Sequence, residues 1–373
     1  MASVQHQLGR RIRLAVAGAV VLTALTAATA SASMPSAEGA RAQQSAGLAP
    51  GTAARPDHGG GGTDTRSGAR SQFPGFVLDR GRYTTFDVPG ATAGVTPTGI
   101  NDFGQVVGKY DTGTSASGPG ASEHGFLRDR RGRVTRIDVP GARSTATSRI
   151  NDRGQIAGVY SQNTGRVGDD PNRRGFMLDH GKLIRIDYPG AMETQAFGLN
   201  NLGQVVGEYQ DATGFHAFRW DKGRFTTIDA PGAAGTGGTS ALGLNDRGDV
   251  VGIYGTDPTG KPGTEHGFLL HNGVFTPFDA PGALLTLAFD VNDRGQIVLT
   301  GIGSTPAGPV FHGFVLRDGA KGAFTPVDVP GAPSTTAAGI NNLGQITGGY
   351  APAATGSSPS PTGMQPMSMG LGR

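Results

Sequence analysis

Residues Arg149–Tyr160, Arg-Ile-Asn-Asp-Arg-Gly-Gln-Ile-Ala-Gly-Val-Tyr, are the most informative segment of the chain, because they place a tight turn between two apolar segments and because this pattern recurs. An Asn-Asp-x-Gly sequence favours a type I turn followed by a left-handed glycine, which joins two strands of a β-hairpin. The asparagine returns six times at intervals of 45 to 50 residues. These six residues are Asn101, Asn151, Asn200, Asn245, Asn292 and Asn341.

Two further positions repeat with the asparagine. A phenylalanine follows glycine or alanine at Phe76, Phe126, Phe176, Phe218, Phe268 and Phe314. An aspartate opens an Asp-x-Pro-Gly-Ala turn at Asp87, Asp138, Asp187, Asp229, Asp279 and Asp328. The copy around Asn151 contains four strand-like segments, at 148–151, 155–160, 175–178 and 183–187. Four strands in a repeat of this length, six times over, predict an all-β fold, a six-bladed β-propeller with four antiparallel strands per blade.

The phase of the repeat predicts how the ring closes. The first copy, Gly75–Asp87, supplies only the third and fourth strands of a blade, and the last, Ala338–Tyr350, supplies only the first and second. We expect these two half-blades to pair, because pairing removes two exposed sheet edges. The propeller is therefore predicted over residues 73–350. The fifth copy departs from the pattern at Leu299 and Thr300, and we expect that blade to be distorted.

The N-terminal residues 1–32 have the features of a secretory signal peptide. Three arginines, at positions 10, 11 and 13, precede the apolar stretch Leu14–Ala30, and Ala30-Ser31-Ala32 forms a cleavage site of small residues. A membrane anchor is the alternative interpretation, but three threonines interrupt the stretch and it is short for a span. Export by the general or the twin-arginine route is left open. We expect a secreted, extracellular protein with no membrane span after cleavage.

Residues 33–72 and 351–373 are rich in small and polar residues and lack apolar periodicity. Such composition predicts a disordered linker before the propeller and a disordered tail after it. The tail contains Met364, Met367 and Met369, but three methionines without histidine or cysteine are weak evidence for copper.

Composition and charge exclude several classes of protein. Glycine contributes 64 and proline 24 of the 373 residues, which argues against helical bundles and coiled coils. Outside residues 1–32 the chain carries 29 basic and 29 acidic residues, so it lacks the charge of a nucleic-acid binder. There is no cysteine, which excludes disulfides and thiolate chemistry.

The repeated residues resemble the HAF family of extracellular repeats found in secreted bacterial proteins. His216-Ala217-Phe218 spells the name of the family, other copies have His-Gly-Phe, and the Gly-Ile/Leu-Asn-Asp/Asn-x-Gly-Gln segment is typical of it. The resemblance covers roughly residues 73–350. It implies an extracellular, propeller-like repeat protein and supplies no catalytic residues.

No catalytic or metal-binding constellation follows from the spacing, so we predict neither enzyme activity nor a cofactor. The five glutamates do not repeat at a channel position, as the paired carboxylates of a glycosidase would require. Four histidines precede the repeated phenylalanine but belong to separate blades, where they cannot converge on zinc. The Asn-Asp-x-Gly turns lack the closing acid of a calcium loop.

Two sets of residues are candidate ligand sites. Tyrosines end the second strands at the rim that carries the variable loops, and their rings could stack on sugars; they are Tyr110, Tyr160, Tyr209, Tyr254 and Tyr350. Two residues before each repeated asparagine, a position expected to face the channel, four blades have glycine and two have Arg149 and Asp290. These two lie three blades apart, and they could bind a small charged ligand or form a solvated pair.

The predicted function is binding of a glycan or a protein at the cell surface by a monomeric, non-catalytic propeller. An enzyme acting on extracellular polysaccharide and a structural component of the envelope or matrix are the alternatives. A clustered acid pair in a deep pocket would favour the enzyme, whereas a shallow aromatic face would favour binding.

Overall fold

The structure is a computed structural model, and it describes residues 71, 73–112, 122–234, 237–258, 263–306 and 308–353. The predicted signal peptide, nearly all of the predicted linker and residues 354–373 lie outside this part of the chain. Twenty-four strands form six antiparallel sheets of four strands each, which confirms the six-bladed β-propeller.

Blades one to three follow one another along the chain. Blade one comprises β3 (Val95–Ile100), β4 (Val106–Thr112), β5 (Ser122–Arg128) and β6 (Val134–Ile137). Blade two comprises β7 (Ser144–Ile150), β8 (Ile156–Ser161), β9 (Arg174–Asp179) and β10 (Lys182–Ile186). Blade three comprises β11 (Glu193–Leu199), β12 (Val205–Gln210), β13 (Phe215–Asp221) and β14 (Arg224–Ile228).

The other three blades complete the ring. Blade four comprises β15 (Thr239–Leu244), β16 (Val250–Gly255), β17 (Glu265–His271) and β18 (Val274–Phe278). Blade five comprises β19 (Leu285–Val291), β20 (Ile297–Thr305), β21 (Gly308–Leu316) and β22 (Phe324–Pro326). Blade six comprises β23 (Ser334–Ile340), β24 (Ile346–Ala351), β1 (Gly75–Asp79) and β2 (Arg82–Phe86).

The first strand of each blade lies innermost, where it contacts the first strands of the neighbouring blades. These strands begin up to four residues earlier than the sequence predicts: in blade two the strand starts at Ser144 rather than at residue 148. Each contains a register shift near its end, such as the one between Thr147 and Arg149. The fourth strands lie at the periphery, so β2 is largely exposed whereas β11 is buried throughout.

The ring closes between the two ends of the propeller, as the phase of the repeat predicts. Strand β1 pairs with β24 in antiparallel register, with Gly75 opposite Gly349 and Leu78 opposite Ile346. The boundaries need a small correction. Ser71, assigned to the linker, is buried and bonds to Asp87, and Ala351, assigned to the tail, ends β24. Both residues complete the closing blade.

The turns divide the disc into two faces. The Asn-Asp-x-Gly turns and the short hairpins between third and fourth strands lie on what we call the turn face. The Pro-Gly turns and the longer connections lie on the opposite, loop face. Turn chemistry is as predicted: Gly104 has φ +72° and its N–H donates to Asn101 O at 3.0 Å. In the Pro-Gly turns Gly90 has φ +87°, and Ala91 N–H donates to Val88 O.

The repeated phenylalanines fill the space between sheets in five blades, where their rings are at most 1% exposed. In blade five Phe314 packs in the equivalent cluster but is only partly buried, whereas Phe311, three residues earlier, is buried in a separate cluster with Phe73 and Val167. The distortion expected there takes the form of a longer hairpin: β20 and β21 each have nine residues and pair without interruption. Leu299 occupies the position where other blades have glycine, and it is fully buried.

Candidate functional site

The six repeated asparagines form a closed ring around the channel at the turn face. Each amide Nδ2 donates to the main-chain oxygen of the equivalent asparagine in the next blade, at 2.9–3.1 Å, and Asn341 closes the circle on Asn101. Within its own turn each asparagine Oδ1 accepts a main-chain N–H; Asn200 Oδ1, for example, accepts from Gln204 N at 2.9 Å. Each asparagine therefore stabilises its own turn through Oδ1 and links its blade to the next through Nδ2.

A second closed ring is formed by the residues that follow the asparagines. Each main-chain N–H donates to the Oδ1 atom of the next blade's side chain at 2.7–2.8 Å. The members in order are Asp102, Asp152, Asn201, Asp246, Asp293 and Asn342. The ring thus brings four carboxylates and two amides to the mouth of the channel.

The two amides donate hydrogen bonds to two of these carboxylates. Asn201 Nδ2 donates to Asp152 Oδ2 at 3.0 Å, and Asn342 Nδ2 donates to Asp293 Oδ2 at 2.8 Å. Asp102 and Asp246 have no such amide from the ring, and they lie three blades apart, on opposite sides of the axis. Burial and the neighbouring charge of Asp152 raise the pKa of the Asp102 carboxyl.

Together the two rings line a shallow funnel on the axis, which has a cavity volume of about 60 Å³ and is open to solvent. Its walls are the asparagine ring, the Asp/Asn ring and one apolar residue per blade, Ile100 and its equivalents. Its floor is formed by Arg149 and Asp290, which precede the asparagines by two residues and therefore lie deeper in the channel.

Arg149 and Asp290 approach from opposite walls, as the sequence predicts, and contact each other directly, with Arg149 Nε 3.3 Å from Asp290 Oδ2. Arg149 also donates to four main-chain oxygens, of Thr98, Ser148, Phe289 and Ala338, which belong to blades one, two, five and six. Asp290 accepts from Ile340 N at 3.1 Å and from Val291 N at 3.0 Å. The pair closes the channel, so a charged ligand of the kind predicted would have to displace these contacts.

Asn200→Ala is expected to destabilise the fold by about 2–3 kcal/mol, because it removes two donated and two accepted hydrogen bonds in a buried setting. Chemical denaturation with urea measures the loss. Leu202→Ser, in the same turn but 49% exposed, serves as the control and should change stability by no more than about 0.5 kcal/mol. Equal stability of Asn200→Ala and the native chain would contradict a structural role for the ring.

The tips of the same turns surround the funnel with a mixed rim. The residue between Asp/Asn and glycine is Phe103, Arg153, Leu202, Arg247, Arg294 and Leu343 in blades one to six. Phe103, Leu202 and Leu343 are 62%, 49% and 59% exposed, so three large apolar side chains stand in solvent around one opening. Phe103 and Leu343 belong to adjacent blades, whose turns are joined by the bond from Asn342 N to Asp102 Oδ1.

The loop-face end of the channel is closed. A buried apolar cluster joins side chains from the innermost strands of blades two to five with Phe73 and Val167. Val167 lies in the connection between β8 and β9, which reaches across to blade one: its N–H donates to Glu123 Oε2 at 3.0 Å. Arg166 from the same connection pairs with Asp111 at 2.8 Å. Access to the channel is therefore through the turn face.

The predicted tyrosines do not form an exposed ring on the loop face. Tyr110, Tyr160 and Tyr209 are only 7%, 4% and 6% exposed, which leaves no ring face for a sugar. Tyr209 stacks on Tyr188 at 3.6 Å between ring centroids, and burial raises its pKa to about 12. Tyr254 and Tyr350 are partly buried and pack against core clusters. Burial gives these tyrosines a structural role, in which each closes the edge of its blade; sugar stacking stays a prediction only for Tyr254 and Tyr350.

The repeated histidines and the repeated Asp-x-Pro-Gly aspartates, which the repeat pattern does not connect, form pairs in the structure. In four blades histidine Nδ1 lies 2.8–3.1 Å from the aspartate: His124 with Asp138, His216 with Asp229, His266 with Asp279 and His312 with Asp328. Where histidine is missing, Arg174 approaches Asp187 and Ser71 bonds to Asp87. The pairs tie the third strand to the Pro-Gly turn of the same blade.

Two glutamates come together on the inner strands of blade three. Gln195 Nε2 lies between them, 2.6 Å from Glu208 Oε1 and 3.4 Å from Glu193 Oε1. Arg173 pairs with Glu193 at 2.9 Å, and burial raises the pKa of the Glu193 carboxyl. Both glutamates are at most 4% exposed, so this acid pair has no open cleft in front of it. The residues that the structure describes contain no group of three potential metal ligands in reach of one ion, and no helix among them is long and apolar enough to cross a membrane.

No protein-family model matches the chain, and no curated protein matches its sequence. Solved structures resemble its fold. TolB from Acinetobacter baumannii is 13% identical with a TM-score of 0.47, over 70% of this chain and 65% of TolB. The β-propeller domain of the trilobed protease from Pyrococcus furiosus is 8% identical with a TM-score of 0.42, over 73% and 86%. AofleA from Arthrobotrys oligospora is 15% identical with a TM-score of 0.42, over 73% and 80%. This chain spans less than two thirds of the TolB structure, and at these identities the likeness concerns the fold alone.

Proposed function

We propose that this chain is a secreted, non-catalytic propeller that binds a glycan or a protein at the cell surface through its turn face. The observation that carries the proposal is the funnel rimmed by Phe103, Leu202 and Leu343. Large apolar side chains grouped around one opening are costly to leave in water and mark binding surfaces. The signal-peptide pattern and the resemblance to extracellular repeats support secretion.

The turn face differs from the site expected at the tyrosine rim. Variable loops on a rigid scaffold commonly bind ligands, but here the loop-face end of the channel is filled by apolar side chains. The turn face instead combines an open concavity with convergent polar groups, the usual features of a ligand site.

An enzyme acting on polysaccharide is the second candidate, because Glu193 and Glu208 both accept from Gln195 Nε2 and glycosidases use two neighbouring carboxyl groups. Their burial beside Arg173 and Gln195 argues against it. Turnover of polysaccharide by the native chain, lost in Glu208→Gln, would favour this candidate over binding alone.

The proposed binding face is tested with the chain that begins at residue 33, labelled with a fluorophore. Binding is measured on a glycan array and on intact bacterial cells before and after periodate or protease treatment. Phe103→Ser/Leu343→Ser is expected to reduce binding at least tenfold, since it removes two exposed apolar contacts. Met192→Ser/Leu284→Ser is the matched control, because these residues are 48% and 54% exposed on the loop face.

The proposal is contradicted if the loop-face variant loses binding while the turn-face variant keeps it. If only Tyr254→Ala or Tyr350→Ala loses binding, the site lies at the tyrosine rim instead. Sensitivity to periodate identifies a glycan, and sensitivity to protease identifies a protein.

A further inference from the structure

Besides its exposed apolar tips, the turn face has an uneven distribution of charge around the channel axis. The mouth holds the carboxylates of Asp102, Asp152, Asp246 and Asp293, whereas its arginines, such as Arg153 and Arg247, stand on the outer rim. The centre of the face is therefore acidic and its border is apolar and basic.

The carboxylates at the mouth are not equally engaged. Asp152 and Asp293 accept hydrogen bonds on both oxygens, from a neighbouring main-chain N–H and from a ring amide. The ring amides do not reach Asp102 and Asp246, which lie in blades on opposite sides of the axis. Burial and the charges of Asp152 and Asp293 raise the pKa of the Asp102 carboxyl. Four carboxylates around one opening favour an added cation there.

The floor of the funnel is occupied by the buried Arg149–Asp290 ion pair, in which Arg149 Nε lies 3.3 Å from Asp290 Oδ2. The other guanidinium nitrogens of Arg149 donate to main-chain oxygens of four blades. A ligand at the mouth therefore meets the carboxylates of the Asp/Asn ring rather than the guanidinium below them.

We propose that the turn face docks a protein segment that places a lysine or arginine side chain over the channel axis and an apolar side chain beside it on Phe103 and Leu343. The inference rests on the proposed function and names the partner's chemistry. A neutral glycan would leave the carboxylates unpaired, and a nucleic acid would be repelled by them. A second copy docked face to face would bring two sets of the same carboxylates together on one axis.

The geometry sets the spacing of the two anchors. Asp102 and Phe103 are consecutive residues of one turn, and Leu343 follows the residue that bonds to Asp102. A cation held at the Asp102 carboxylate and an apolar side chain held at Phe103 contact consecutive residues, whose Cα atoms lie about 3.8 Å apart, so one or two peptide residues can span the two anchors.

The experiment uses a positional-scanning library of capped hexapeptides as the probe, with selection by the chain that begins at residue 33. The native chain is expected to enrich lysine or arginine at one position and an apolar residue within two positions of it. The best peptide should bind at least tenfold more weakly when its basic residue is replaced by norleucine, and its affinity should fall as salt rises.

Two variants separate the parts of the proposal. Asp102→Asn/Asp246→Asn keeps the ring acceptors, since asparagine occupies this position in blades three and six, and is expected to abolish the preference for a basic residue. Phe103→Ser/Leu343→Ser should abolish only the apolar preference. Asp318→Asn, an exposed residue in a left-handed turn at the periphery of the turn face, is the control and should select like the native chain.

Selection of acidic or uncharged peptides by the native chain, or unchanged selection by the Asp102→Asn/Asp246→Asn variant, would overturn the inference. If no peptide is enriched while the turn-face variant still loses binding to cells, the partner chemistry is wrong and the proposed binding face stands. If the turn-face variants change neither peptide selection nor binding to cells, the proposed function is wrong as well.

Discussion

A chain that begins at residue 88, and so lacks Ser71 and the two strands β1 and β2, is expected to lose its cooperative fold. Blade six would keep only β23 and β24, whose outer edge normally pairs with β1. The deletion also removes Phe76, which is fully buried. Truncating one such ring typically costs about 3–5 kcal/mol, and domains of this kind are stable by only about 5–15 kcal/mol in all.

Calorimetry and size-exclusion chromatography measure this loss as a missing thermal transition and as aggregation through the open edge. The control is a chain that begins at residue 71 instead of residue 33, which keeps the whole closing blade and should melt at the same temperature as the longer one. A monomeric protein with an unchanged Tm after removal of residues 71–87 would show that blade six does not depend on its N-terminal half.

Arg149→Met is expected to destabilise the propeller by about 3–5 kcal/mol, because it leaves Asp290 as a buried carboxylate without its counterion. The change also removes the donor for four main-chain oxygens from four blades. Burial raises the pKa of Asp290, and the Arg149 guanidinium partly offsets this, so the loss of the arginine favours uptake of a proton.

Unfolding in urea gives the free energy for this variant and for the double variant Arg149→Met/Asp290→Asn. The double variant keeps an acceptor for Ile340 N and Val291 N but removes the charge, and should recover at least about 1 kcal/mol of the loss. Equal stability of the single and double variants would mean that the cost comes from packing or from the unpaired carbonyls rather than from the unpaired charge.

The sequence was informative wherever a local rule fixes the backbone. The Asn-Asp-x-Gly and Pro-Gly turns were predictable because glycine with positive φ and proline with fixed φ leave few alternatives. The ends of strands were less predictable. The inner strands start as much as four residues before the predicted position, because their first residues are held by neighbouring strands rather than by a turn.

The candidate site was predicted only in part. Arg149 and Asp290 were placed on opposite walls from the repeat alone, but their direct contact depends on how far the side chains extend across the axis. The tyrosines were expected at a rim and are mostly buried, because periodicity gives the position of a residue along a strand and not how closely the next blade packs against it. The pairing of histidines with aspartates was also missed, although each of the four copies with the histidine also has the aspartate.

The number of blades, the pairing of the two ends and the residues of each turn follow from the sequence, because they depend on repeated local chemistry. Which end of the channel is open depends on tertiary contacts. The asparagine ring, the Asp/Asn ring and the axial ion pair join residues 45 to 240 positions apart, and each hydrogen bond forms only when neighbouring blades meet at one distance and angle. Closure of the ring, rather than any single repeat, forms the funnel and brings the aspartates of the Asp/Asn ring together at its mouth.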